Sequence, residues 1–534
     1  MKTKYIFVTG GVCSSLGKGI ACSSIGAILE ANNFKISMTK IDPYLNVDAG
    51  TMSPFQHGEV YVTDDGTETD LDLGNYERFT NILLNKTNSI TTGQVYNEVI
   101  NRERKGDYLG RCVQVIPHIT DEISRRIKES VTKETDIAII EIGGTVGDIE
   151  SIPFLETARQ FQIEIGKENV LYIHLTLIPK IKASDEFKTK PTQHSVQKLR
   201  EIGIQPDILL CRIDEEMPLS MIKKISLFTN VKEEAVISAV DIKYSIYEVP
   251  LSFNEKGLTK VLLKKLKLPN KNGSLNTWER LVKIIKNPKN STKIAVVGKY
   301  IELNDSYKSI YEALNHGAIE NNTKLEIVKI NSEDLTSNNI KILLKDINGV
   351  LIPGGFGERG IEGKLLAAKY ARENKLPYFG ICLGMQVMVI EYARNILGFN
   401  KANSTEFDNQ TPYPVISLLE EQEGIDYMGG TMRLGNYESK IFTNTLLYNT
   451  YKKIKLSERH RHRYEFNNNY KNQFISNGLK ISCVTDNTLI EGIEWSNHPF
   501  GIGVQFHPEF KSKPFNAHPL FREFVKASIK NKKI

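Results

Sequence analysis

Short apolar runs alternate with helix-forming stretches in both halves of the chain, and this alternation limits the fold more than any other feature. The runs "YIFVTG", "DIAIIEIGG", "VLYIHLTLI" and "DILLCRID" come early, and "KIAVVGKY", "GVLIPGG" and "LPYFGICLG" come late. Such alternation is the mark of βαβ units and mostly parallel sheets. A chain of 534 residues exceeds what one hydrophobic core serves. The expected class is therefore α/β, with two doubly wound, mostly parallel-sheet domains. Between Pro269 and Thr292 the polar stretch "NKNGSLNTWERLVKIIKNPKNST" holds Gly, Pro and one amphipathic segment, which predicts an interdomain linker at 268–291. The flanking domains are then 1–267 and 292–534.

Several function classes fit poorly. No apolar run reaches the length of a membrane span, and "MKTKYIFVTGG" has the pattern of a first strand, not of a signal peptide. The net charge of +6 is spread among interspersed acids and bases, which predicts a solvated surface and not a nucleic-acid footprint. The six cysteines form no C-x-x-C pair, which weakens zinc and thioredoxin-like readings and points to a reducing cytoplasm.

In the first domain, "FVTGGVCSSLGKGI" joins a strand to a helix whose Ile20, Ile25, Ile28 and Leu29 are close to helical spacing. Its glycines depart from G-x-x-x-x-G-K-[ST], since Gly19 stands where a hydroxyl is usual. Even so, strand, loop, lysine and helix in that order favour phosphate binding over a bare glycine turn. Backbone N–H groups at the helix start attract anions, and Lys18 supplies a point charge. A magnesium ion beside phosphates needs carboxylates. Asp70 and Asp72 lie in "TETDLDLGNYERF", and Asp148 and Glu150 follow "EIGG". Glu141 is the strongest candidate, because an acid ending an apolar strand needs a partner. "EFKTKPTQHS" gathers Lys188, Lys190, Thr192 and Gln193, either a second triphosphate grip or an exposed basic loop.

In the second domain, "LPYFGICLGMQ" reads as strand, G-x-C-x-G and helix, a nucleophile elbow with Cys382 between Gly380 and Gly384. A helix N-terminus favours the thiolate form of a cysteine. The N–H of Leu383 and one from Gly354 or Gly355 are candidates for an oxyanion hole. "QFHPE" places His507 and Glu509 on either side of Pro508, which predicts an extended segment with both side chains leaning one way. His507 then serves as base for Cys382 while Glu509 orients the imidazole. "SERHRHRYEFNN" predicts a strand whose alternate cations face a substrate cavity.

These features together resemble a class I glutamine amidotransferase in the second domain and the CTP synthase family over nearly the whole chain. The resemblance is carried by "FVTGGVCSSLGKGI", "DPYLNVDAGTMSPFQHGEVYVTDDGTETDLDLGNYERF", "GDYLGRCVQVIPHIT", "EIGGTVGDIES", "KTKPTQHSV", "PGGFGERG", "GICLGMQ", "ANSTEF", "GGTMRLG", "ERHRHRYE" and "QFHPE". It implies ATP at Ser15, Leu16, Gly17, Lys18, Gly19, Ile20 and Asp72, with adenine contacts at Val240, Asp241 and Ile242. It implies Mg²⁺ at Asp72 and Glu141, and assistance to phosphoryl transfer from Lys18 and Lys40. UTP or CTP is implied at Ser14, Lys188, Thr189, Lys190, Pro191, Thr192, Gln193 and Lys224, with Asp148, Ile149 and Glu150 helping to bind CTP. Glutamine is implied at Gly355, Leu383, Gly384, Met385, Gln386, Glu406 and Arg463, above a Cys382, His507 and Glu509 triad.

The implied reaction forms CTP from UTP with ATP and glutamine, with GTP as activator, CTP as inhibitor and an internal passage for ammonia. The implied assembly is a homotetramer that can polymerise into filaments. Two departures stand out. The lysine-aspartate pair usual near 236–238 is replaced by "VISAVDIKYSIY", one residue longer, and the stretch before "GGTMRLG" is short. Another glutamine-dependent ligase with this loop type and a non-catalytic filament protein are the rival readings. "KTKPTQHS" and "GGTVGDIES" argue against the first, and Cys382, His507, Glu509 and Lys18 together argue against the second.

Overall fold

The computed structural model describes residues 2–418, 430–486 and 489–531. Most of the short stretch preceding "GGTMRLG" lies outside them. The chain forms two compact units, one of Met1–Asp48 with Asn75–Lys283, the other of Ala49–Gly74 with Ile284–Ile534.

The first unit is built on seven strands: β1 (Lys4–Gly10), β2 (Ile36–Asp42), β3 (Ser89–Thr91), β4 (Ile137–Ile142), β5 (Val170–Leu177), β6 (Ile208–Ile213) and β7 (Val236–Val240). Their order is β7-β6-β5-β1-β4-β2-β3, and every pairing is parallel. Every residue of β1 and β4 is buried, as expected where helices cover both faces of a parallel sheet. That is why these strands read as continuous apolar runs and not as alternating ones. Phe7 and Tyr5 pack edge-on against Phe161, with ring centroids 5.6 Å and 4.8 Å apart. Burying each such side chain contributes about 1.5–3 kcal/mol.

The amphipathic segment of the expected linker is a helix, Asn276–Lys286, that buries Trp278, Leu281 and Val282. Trp278 packs on Phe79 and Tyr247, so this part of the chain is anchored in the first unit and is not a free tether. Ala49–Gly74, which lies inside the first expected domain, groups with the second compact unit. This segment carries a small hairpin, Tyr61–Val62 paired with Glu68–Thr69.

The main sheet of the second unit has nine strands among the described residues: β8 (Asn290–Gly298), β9 (Thr323–Asn331), β10 (Gly349–Ile352), β11 (Tyr378–Ile381), β12 (Arg433–Ile441), β13 (Lys455–His462), β14 (Leu479–Val484), β15 (Ile490–Trp495) and β16 (Gly501–Val504). The order is β9-β8-β10-β11-β16-β15-β14-β12-β13. The strands from β9 to β16 pair in parallel, and the rest extend the sheet antiparallel. Short reversals such as the one between β14 and β15 leave no room for a crossover helix, so this end runs antiparallel. Among the described residues no helix is long and apolar enough to cross a membrane.

Candidate active sites

The three neighbouring strands β10, β11 and β16 end at one edge of the second sheet, and each delivers a group there. Gly354 follows β10, Cys382 follows β11, and His507 follows β16. Cys382 sits at φ 50° and ψ −102°, a left-handed conformation that a non-glycine residue adopts only under local constraint. It caps the helix Leu383–Asn395. The flanking glycines are required by space, since a Cβ on Gly380 would stand 2.5 Å from the Gly384 carbonyl oxygen. A Cβ on Gly354 would meet His507 Cε1 at 2.8 Å, so the imidazole lies directly against the glycine loop.

His507 Nδ1 meets Glu509 Oε1 at 2.7 Å, which leaves Nε2 as the nitrogen for the thiol. The segment after His507 is not extended as its proline suggested. Pro508–Lys511 is a single 3₁₀ turn with Pro508 at its first position, where the fixed φ of proline suits a helical start. The turn brings Glu509 back onto the imidazole. Burial opposes a charged imidazole, but Glu509 and then Cys382 overcome it and raise the His507 pKa to about 10. The side chain of Gln505 donates toward the Cys382 sulfur at 3.6 Å, a contact that the motif reading missed.

Cys382, His507, Glu509, Gly354 and Gly355 line a cavity of about 290 Å³ together with Arg461 and Arg463. The "RHRHR" strand is β13, as expected, but its cations divide. Arg461 and Arg463 reach the cavity, whereas Arg459 is buried and binds Tyr61 Oη at 2.8 Å, the Val62 carbonyl at 3.1 Å and Asp64 at 2.5 Å. Arg461 holds Glu68 at 2.8 Å and the Gly50 carbonyl at 3.1 Å. Leu383, Gly384, Met385 and Gln386 form the first, buried turn of the helix after Cys382. Glu406 accepts the Gly357 N–H at 2.6 Å on the same glycine loop, and burial pushes its carboxyl pKa up. Arg463 donates to Thr431 at 2.7 Å.

In the first unit β1 runs into the glycine loop, and the helix α1 (Lys18–Ala31) follows it directly. The loop needs left-handed turns at Ser15 and Gly17, with φ of 58° and 86°. Lys18 Nζ donates to the Gly144 carbonyl at 2.7 Å, and Gly144 follows β4 in "EIGG". Glu141, in β4, is buried; Oε1 accepts from Lys40 at 2.9 Å and Oε2 from Tyr76 at 2.5 Å. An all-oxygen carboxylate suits Mg²⁺, which is commonly held by one or two carboxylates and the phosphates themselves. Among the described residues there is no group of three or more His, Cys, Asp or Glu set to hold a metal. Asp72 begins the helix Asp72–Phe79 and falls in the segment assigned to the second unit.

Val240, Asp241 and Ile242 share a cavity of about 440 Å³ with Leu16, Gly17 and Ile20. Arg212, which the motif reading passed over, joins the two sides. It donates to the Ser15 carbonyl at 3.0 Å and to Asp241 at 2.8 Å. A charged residue near the end of the apolar run "DILLCRID" was the available signal. Lys190, Pro191, Thr192 and Gln193 form the first turn of a second helix, α2 (Lys190–Glu201). Thr192 is buried and bonded to Thr176 and the Leu177 carbonyl, while Lys188 and Lys190 are exposed. Asp148, Ile149 and Glu150 are also exposed, and Lys224 lies exposed on the helix Leu219–Thr229.

A glycine loop leading into a helix on one sheet and a thiol beside a histidine–glutamate pair on another, within one chain, are the arrangement expected of a nucleotide-dependent synthetase joined to a glutamine amidotransferase. Residues 4–268 match the family model for the CTP synthase N-terminus, and residues 302–527 match that for class I glutamine amidotransferases. The chain is 57% identical over 531 residues to the CTP synthase of Aquifex aeolicus, covering 99% of each. It is 55% identical over 534 residues to that of Geobacter metallireducens, covering 100% of this chain and 99% of the other. The chain belongs to the CTP synthase family, and it is a ligase with a glutamine amidotransferase domain.

Proposed function

We propose that the protein aminates UTP to CTP at the expense of ATP, taking nitrogen from glutamine or free ammonia. The observation that carries the amidotransferase half is the convergence of Cys382, His507 and Glu509 on one cavity. Cys382 Sγ attacks the glutamine side-chain amide, and His507 passes a proton to the departing nitrogen. Ammonia leaves and a thioester remains, which water hydrolyses to glutamate and free thiol. Glu509 keeps the imidazole oriented and favours its charged state. The N–H groups of Leu383 and of Gly354 or Gly355 are the proposed oxyanion donors, and Glu406 and Arg463 are the proposed holders of the glutamine head group.

In the synthetase half, Ser15 to Ile20 cradle the ATP phosphates, and Val240, Asp241 and Ile242 enclose the adenine. Glu141, with Asp72, is the proposed ligand of Mg²⁺, which when bound neutralises phosphate charge. Lys18 and Lys40 stabilise the charge that builds during phosphoryl transfer to O4 of UTP. The products of that step are ADP and 4-phosphorylated UTP. Ammonia then displaces phosphate at C4 and gives CTP. Ser14, Lys188 to Gln193 and Lys224 hold the UTP triphosphate, and Asp148 to Glu150 contribute to CTP inhibition. GTP activation, a homotetrameric assembly and a cytoplasmic location belong to the same proposal.

Incubating the protein with UTP, ATP, Mg²⁺ and glutamine, and separately with an ammonium salt, tests it. Equimolar CTP, ADP and phosphate are expected from both mixtures, with glutamate from the first alone. ADP without CTP in both mixtures would overturn the proposal.

A further inference from the structure

Beneath the phosphate loop runs a buried chain of hydrogen bonds that neither proposed nucleotide site uses. Thr9, the next-to-last residue of β1, lies opposite His174 of β5 in the sheet register. Its Oγ1 is 2.7 Å from His174 Nδ1, and His174 Nε2 is 2.8 Å from Ser195 Oγ. Ser195 is in α2, whose first turn holds Lys190 to Gln193. Thr9, His174 and Ser195 are buried at 1%, 0% and 6% exposure. The Thr9 hydroxyl also lies 3.4 Å from the Ile173 carbonyl. A neutral imidazole donates through one ring nitrogen and accepts through the other, so His174 bonds Thr9 and Ser195 at once in either tautomer.

Gly11 closes the arrangement. A Cβ there would stand 1.6 Å from Ser195 Oγ and 3.0 Å from His174 Nε2. The second glycine of the phosphate loop is thus seated on the serine of the triphosphate-binding helix. Burial, and then the nearby Lys18 charge, push the His174 pKa down to about 3. Both effects favour the neutral imidazole, which can hold Thr9 and Ser195 together.

We propose that His174 is a positioning residue that couples the ATP phosphate loop to the UTP-binding turn, so that either nucleotide organises the site of the other. The inference rests on the assignment of those two loops under the proposed function. His174 touches neither nucleotide; it acts through Thr9 and Ser195. Coupling between ligands through such a shared element typically amounts to roughly 5-fold or more in affinity.

The test is equilibrium binding of UTP to the full-length protein, with and without Mg²⁺ and the non-hydrolysable imido analogue of ATP. The analogue is expected to tighten UTP by roughly 5-fold or more in the wild type. In His174→Asn and Ser195→Ala this factor is expected to fall below about twofold, with each nucleotide's affinity alone changed by less than about threefold. Thr9→Ser keeps the hydroxyl and is expected to keep the factor. Ser195→Ala removes only one oxygen, so it remains informative if His174→Asn does not fold. A wild type that binds both nucleotides without mutual influence, or variants that retain the wild-type factor, would overturn the coupling alone. A wild type that binds neither nucleotide would overturn the loop assignment and the coupling with it.

Discussion

Arg459 holds His507 through its backbone: its carbonyl accepts the His507 N–H at 2.7 Å. The side chain of the same residue grips Tyr61, Val62 and Asp64 in the hairpin segment. The imidazole of the proposed triad is therefore placed by a strand residue that is itself anchored in Ala49–Gly74. Arg459→Lys keeps the charge but loses the planar fork. Glutamine-dependent CTP formation should fall roughly 10- to 100-fold, because small misplacements of a catalytic group cost about that much. Ammonia-dependent formation should change by less than about threefold, and paired initial-rate assays read both.

Cys382→Ala should abolish CTP formation from glutamine and leave formation from ammonium salt intact. Loss of both activities in a folded variant would show that the thiol serves more than glutamine cleavage. The same paired assay decides.

Glu141→Gln should stop CTP formation from either nitrogen source while glutamine hydrolysis continues. The carboxylate is buried against Lys40 and Tyr76, and the amide cannot offer the same charge to a metal or to Lys40. Normal ammonia-dependent turnover would remove Glu141 from the proposed metal site.

Lys190→Ala should weaken UTP and CTP together, because the two share a triphosphate and ribose. The loss of one charge-assisted phosphate contact costs about 1.5–3 kcal/mol, roughly one to two orders of magnitude in affinity. Titrations of both nucleotides check it, and a fall for UTP alone would contradict the shared grip.

The raised pKa of His507 has a consequence for stability. Its folded-state pKa of about 10 lies above the ordinary 6.5, so the charged imidazole stabilises the fold fully below about pH 6.5. That contribution declines as pH rises and is gone above about pH 10. Glu509→Gln removes the chief charge that supports it. The melting temperature of this variant should therefore lie furthest below that of the wild type near pH 6, and the gap should close toward pH 10. Thermal unfolding across this range measures it, and a gap that widens with pH would contradict the assignment.

Much of this was legible because the decisive patterns are local. Strand, glycine loop and helix stand within residues 4–31, and the elbow stands within one short run ending in the helix at Leu383. Both rest on glycine conformation and apolar periodicity, which a sequence displays directly. The turn after His507 was misjudged because the restriction on the residue before a proline says nothing about the residues after it. Arg459 was read as one of several cavity-facing cations. Its burial depends on Tyr61 and Asp64, nearly four hundred positions away in the chain, and no local pattern reveals such a partner. Arg212 and His174 were hidden for the same reason, since each acts between elements that meet only after the sheet has formed.

The membership of Ala49–Gly74 in the second unit makes the chain interleaved, not strung like beads. No single cut between residues yields both units whole. A fragment that begins at the restart of the second sheet leaves Arg459 and Arg461 without the carboxylates of Asp64 and Glu68. Removing one partner of a buried charge is among the costliest changes a fold can suffer. Splitting the gene at the linker would thus part Arg459 and Arg461 from the segment that covers and pairs them.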